Sequence, residues 1–156
     1  MMLHRIYPAM LLSLLPLCAV AQPIAWQTYL IEETGAKVDV PVSIFTKQAG
    51  KPPGGPGRQF LTSDGRANFT VQSIPNTSDD SPALFLAKKK PPAGIIYKKV
   101  TSRFFVASSV LNDRIWYNRC NRSAGYMQCV LINYPAAEKR QWDGVVTRIS
   151  NSLASK

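Results

Sequence analysis

The sequence predicts an α+β fold: a mainly antiparallel twisted sheet of about seven or eight strands, with a short middle helix and a C-terminal helix packed on it. Three observations predict it. Short segments that alternate apolar with polar residues recur between residues 26 and 134, parted by turn pairs such as Asp64-Gly65 and Asn112-Asp113. Near the C-terminus, Trp142, Val145, Val146, Ile149 and Leu153 fall on one stripe at helical spacing. Between these regions Ser81-Pro82 opens a short apolar run that Pro91-Pro92 stops, which marks a capped helix over 82–89. A closed barrel capped by the C-terminal helix is the alternative arrangement.

The chain opens on a leader. Arg5 precedes an apolar run over 9–21. That run is too short to span a bilayer as a helix, which takes about 20 apolar residues. It ends in Ala19-Val20-Ala21, the small-x-small pattern after which signal peptidase cuts. Residues 1–21 therefore read as a signal peptide and 22–156 as a single α+β domain, periplasmic or secreted. Lipidation of Cys18 is the competing reading, disfavoured because Leu17 rather than a small residue precedes it. No later run is long enough for a transmembrane helix.

A first strand covers 26–31 and a second 36–40, ended by Pro41. Residues 46–57 are rich in proline and glycine and read as a loop, flexible near 47–57. Asp64-Gly65 then turns a hairpin of 58–62 and 67–73. In its second strand Ala67, Phe69 and Val71 share one face, and Asn68, Thr70 and Gln72 the other. After the short helix, 95–101, 104–111, 114–120 and 126–134 read as four successive antiparallel strands. Placing Cys120 opposite Cys129 sets the last hairpin's register. Tyr117 then faces Ile132 and Ile115 faces Tyr134, while on the other side Trp116 meets Asn133 and Asn118 meets Leu131. Pro135 opens the final helix.

The residue inventory closes several chemistries. The only histidine is His4, in the leader. The exported chain thus has no imidazole for a Ser-His-Asp or Cys-His site, for histidine-ligated zinc, or for a proximal haem ligand. It keeps two cysteines, Cys120 and Cys129. In an oxidising compartment these read as one disulfide, worth about 2.5–3 kcal/mol on the chain-entropy model. Two thiols are too few to hold zinc, so neither metal nor cofactor is expected. The adjacent acids Glu32-Glu33 and Asp79-Asp80 sit in turns, and Gly54-Gly55-Pro56-Gly57 lacks the strand, helix and lysine of a phosphate-binding loop. Ser108 and Ser109 lie on a strand next to Lys98 and Lys99, the one Ser-Lys arrangement open to the chain.

Charge is the remaining clue. Nineteen basic residues against nine acidic give a net charge of +10, of which the leader carries Arg5 alone. In an exported protein that balance points to envelope polyanions, anionic lipid or solubility rather than nucleic acid. Arg114, Arg119 and Arg122, with Lys98 and Lys99 nearby, form the candidate anion-binding set along the edge of the disulfide hairpin. The functional expectation is an exported, non-catalytic accessory or binding domain whose partner is an envelope protein or an anionic polymer. A histidine-independent hydrolase is the alternative.

The residue pattern also resembles a group of small exported bacterial proteins, largely uncharacterised, with a PsbP-like fold. The likeness rests on Trp26 to Tyr29, Gly35, and Val38-Asp39-Val40-Pro41. It continues through Arg58-x-Phe60 with Asp64-Gly65, Phe104-Phe105-Val106 with Ser108, and Ile115-x-Tyr117-x-Arg119-Cys120. It closes on Cys129, Tyr134-Pro135 and the final helix. The resemblance implies an antiparallel sheet with helices packed on it, and supplies no catalytic residue.

Overall fold

The computed structural model describes residues 21–91 and 93–155. Residues 1–20, nearly all of the signal peptide expected over 1–21 and including Cys18 and His4, lie outside the described residues. In chain order the elements are β1 (Trp26–Ile31), β2 (Ala36–Pro41), β3 (Lys47–Gly50), β4 (Gly57–Leu61), β5 (Asn68–Pro75), α1 (Pro82–Lys89), β6 (Ile95–Val100), β7 (Phe104–Leu111), β8 (Arg114–Ser123), β9 (Tyr126–Pro135) and α2 (Lys139–Ser152). A single 3-10 turn, Ala136–Glu138, leads into α2. Seven strands form one antiparallel sheet in the order β3-β4-β5-β9-β8-β7-β6, and β1 and β2 make a separate hairpin. The architecture is the expected α+β arrangement of a mainly antiparallel sheet with a short middle helix and a C-terminal helix.

One segment departs from its sequence reading. Residues 46–57 hold the strand β3, which pairs with β4 across a bulge between Gln48 and Gly50. The glycines that follow let two backbones approach closely. Pro56 O accepts a hydrogen bond from Ser73 N at 2.8 Å, and a Cβ on Gly57 would lie 2.1 Å from Val71 O. Glycine content, read as loop composition, is here the condition for packing against β5.

The period-2 alternation of the strands sorts the sheet into two unlike faces. On the first face Phe60, Phe69, Val71, Ile115, Val130, Ile132 and Tyr134 are buried under α2 and the β1–β2 hairpin. The helical stripe of Trp142, Val145, Val146, Ile149 and Leu153 packs here as its spacing requires. Phe45 bridges the layers, with ring centroids 5.7 Å from both Phe69 and Trp142. Polar ties seal the rim of this layer. Asp39 N donates to Ser152 Oγ at 2.8 Å, and Lys37 and Ala154 exchange two backbone hydrogen bonds. Tyr117 Oη and Ser150 Oγ share a hydrogen bond at 2.5 Å. Burial, helped by the Asp143 carboxylate, pushes the Tyr134 phenol up to about 12.

Among the described residues, α1 is the one helix on the second face. Ser81 Oγ caps this helix by accepting from Leu84 N at 3.3 Å, and Pro82 starts it. Phe85 and Leu86 then pack with Phe105, Ala107, Met127 and the Cys120–Cys129 pair. Eight residues of helix cover only part of a seven-stranded sheet.

Candidate functional site

What α1 leaves uncovered follows from the strand register. On the α1 face the pairings run across the sheet in rows. The row under the helix is Gly57, Gln72, Cys129, Cys120, Phe105 and Val100. The next row is Gln59, Thr70, Leu131, Asn118, Ala107 and Lys98. The third is Leu61, Asn68, Asn133, Trp116, Ser109 and Ile95. The covered row is largely apolar at its centre, whereas the two open rows bring together four carboxamides, two hydroxyls and an indole.

These open rows floor a cleft of about 390 Å³. Its wall is the C-terminal end of α1 and the residues that follow, Leu86, Lys89, Lys90 and Pro91. Lys90 caps the helix in the left-handed region, at φ 49°. The Lys89 ammonium stands 5.5 Å from the centre of the Phe85 ring, and burial pushes it below the ordinary lysine range. Trp116 keeps 43% of its surface exposed. Among the described residues, those lining the cleft include no carboxylate and no imidazole.

Asn133 is the most informative of these residues. It is 4% exposed. Its Oδ1 accepts a hydrogen bond from Arg114 Nε, and Arg114 is held in turn by donating to Arg66 O at 2.6 Å. A guanidinium has donors only, so the contact orients the carboxamide with its oxygen toward Arg114. That leaves Asn133 Nδ2 buried with no hydrogen-bond partner among the described residues. Buried donors are almost always satisfied in folded proteins, and this one belongs to the floor of the cleft.

The residues singled out from sequence are distributed as follows. Cys120 and Cys129 form a disulfide, with Sγ–Sγ 2.05 Å, beneath α1. The five cations do not form one patch. The β8–β9 hairpin is no edge, because β7 covers one side of it and β5 the other. Strand alternation places Arg114, Arg122 and Lys98 on the α1 face and Arg119 and Lys99 on the α2 face. Each arginine has an internal partner. Arg114 holds Asn133, Arg119 lies 4.6 Å from the Phe104 ring centre, and Arg122 pairs with Asp79 at 2.7 Å. Lys99 also stands over Phe104, at 5.8 Å. The Ser-Lys arrangement divides in the same way, with Lys98 and Ser109 on one face and Lys99 and Ser108 on the other. Among the described residues, no three His, Cys, Asp or Glu side chains gather where they could hold a metal ion.

Sequence reasoning missed the cleft although half of its signal was present. The last hairpin's register already sets Trp116 beside Asn133 and Asn118 beside Leu131. Joining them to Asn68, Thr70 and Gln59 requires the β5–β9 pairing, which connects strands far apart in the chain and leaves no local mark.

No protein-family model matches the sequence, and no curated protein matches it. Among solved structures, the chain is similar to the solution structure of cyanobacterial PsbP (CyanoP) from Synechocystis sp. PCC 6803, with a TM-score of 0.61. The two share 13% identity, over 91% of this chain and 99% of that one. The chain thus has a PsbP-like fold; at that identity the likeness speaks to fold alone.

Proposed function

We propose that this protein is an exported, non-catalytic accessory domain that holds its partner in the carboxamide-lined cleft on the α1 face. The observation that carries the reading is the orphan donor Asn133 Nδ2, buried in a residue that lines a largely apolar cleft together with the carboxamides of Gln59, Asn68 and Asn118. A site of this kind matches the usual form of a ligand pocket, mostly preformed and with a few placed polar groups. Its lining suits recognition better than turnover: carboxamides and hydroxyls donate and accept hydrogen bonds but do not move protons at neutral pH. The disulfide fits an oxidising compartment, and so a periplasmic or secreted location. The partner, an envelope protein or an anionic polymer, meets the cleft on the α1 face rather than Arg114, Arg119, Arg122, Lys98 and Lys99 as one set.

The test is co-sedimentation of the exported protein with an isolated cell-envelope fraction, comparing the parent with Trp116→Ala and Asn133→Asp. Each variant should bind about tenfold more weakly, the loss expected for one well-placed contact. Arg119→Gln, on the opposite face, should bind like the parent. Cleft variants that bind as the parent does would refute the assignment.

A further inference from the structure

The composition of the cleft narrows what it can hold. We infer that its ligand is an acidic oligosaccharide, a pyranose chain bearing a carboxylate; this rests on the cleft being the binding site.

Three features lead there. First, the floor lies in the middle of the sheet, where backbone groups are already spent in ladders on both sides. An extended peptide added as a strand needs an open edge. A ligand here must be read by side chains: Asn68, Asn118 and Gln59 each carry a donor and an acceptor on one planar group, and Asn133, whose oxygen is held by Arg114, has its donor left over. That is the complement of neighbouring hydroxyls, which also donate and accept. Second, Trp116 presents a flat, half-exposed indole within the same row as Asn133 and Asn68. An indole offers an apolar face against which the C–H side of a sugar ring can stack. Third, the charges at the cleft are of one sign. Lys89 and Lys90 stand on the wall, no carboxylate lines it, and the ammonium of Lys89 is already partly desolvated. A carboxylate on the sugar would restore what burial removes from that ammonium. The volume of about 390 Å³ is in the range of small-ligand sites, about 300–1,000 Å³.

Two sources share this chemistry: a uronic acid polymer and the lactyl-bearing sugar of a peptidoglycan strand stripped of its stem peptides, which otherwise hold that carboxyl as an uncharged amide. The experiment separates them. Uniformly 15N-labelled protein is titrated with trigalacturonate, with the disaccharide of N-acetylglucosamine and N-acetylmuramic acid, and with neutral maltotriose. The side-chain NH2 signals of Asn133 and Asn118 and the indole N–H of Trp116 are followed.

One or both acidic sugars should shift those signals saturably, and maltotriose should bind at least about tenfold more weakly. Lys89→Gln should erase the preference for acid while keeping the Trp116 shift. Equal binding of maltotriose overturns the acidic assignment. Shifts confined to arginines and lysines on both faces, removed by salt, also overturn it, since they report general charge attraction. If no sugar moves the cleft signals but an envelope extract does, the oligosaccharide is wrong and the cleft stands. If neither moves them, both fall.

Discussion

The two faces of the main sheet are built from the same strands and serve opposite ends. The α2 face is closed over its centre: Phe69 and Ile149 are fully buried, and aromatic contacts run from Phe60 through Phe69 and Phe45 to Trp142. The α1 face is closed only over the disulfide row and open over the carboxamide rows. Alternate residues of one strand therefore belong to different tasks. In β5, Phe69 and Val71 hold the core, while Asn68 and Thr70, their immediate neighbours, floor the cleft. An antiparallel sheet permits this division because its two faces are independent surfaces. A polar floor is affordable on one side when apolar burial on the other supplies the stability.

The contrast predicts that the larger truncation has the smaller effect. Phe69→Ala removes a ring packed against Phe45 and Phe60 and should cost about 3–5 kcal/mol in urea unfolding. Trp116→Ala, a larger truncation, should cost within about 1 kcal/mol, because the indole is half-exposed and holds no core together. Comparable losses for the two would mean that the α1 face is a second structural core rather than a binding face.

A pH experiment sharpens the same division. Tyr134 lies on the closed face, and its phenol is raised from 10.0 to about 12, chiefly by burial and then by Asp143. The folded state thus favours the neutral phenol more than the unfolded chain does. Its contribution to stability is complete below pH 10 and is lost as pH rises from there toward 12. Urea unfolding of the parent should weaken over that window, and Tyr134→Phe should flatten the decline. Identical profiles for the two proteins would show that the phenol is no better shielded when folded than when unfolded.

How far the sequence reached is set by distance along the chain. Segments whose signal is local were readable: Asp64-Gly65 announces β4–β5, Ser81-Pro82 the start of α1, and the 142–153 stripe the buried side of α2. The β8–β9 register followed from one cysteine pair, and Cys120 indeed faces Cys129. The β5–β9 pairing was not readable, and with it went the order of the sheet. Without that order β8–β9 looks like an exposed hairpin, and its arginines look like a surface. Once β9 lies between β5 and β8, Arg114 becomes the brace that orients Asn133. The strand β3 was hidden for a different reason: proline and glycine composition describes the freedom of an isolated chain, not what the neighbouring β4 backbone asks of it.

The main sheet has its edges at β3 and β6, and the β6 edge carries Lys98 and Lys99. Every residue of this strand is exposed, including Ile95, Ile96, Tyr97 and Val100. Such an edge, apolar on both faces and with its outer backbone groups unpaired, is a template for adding another strand. Two consecutive lysines place one charge on each face of it. A second strand docking there would bury an ammonium on whichever side it covered. Replacing Lys98 with Val and Lys99 with Ile removes both charges while keeping residues suited to a strand. The double variant should self-associate at concentrations where the parent does not, read by sedimentation velocity, with folding stability changed by only about 0.5 kcal/mol. The effect on stability is the smallest expected here because neither side chain is buried. If parent and variant sediment alike across the concentration range, the lysines do not guard the edge, and Lys98, on the side that faces the cleft, returns as a candidate for anion contact.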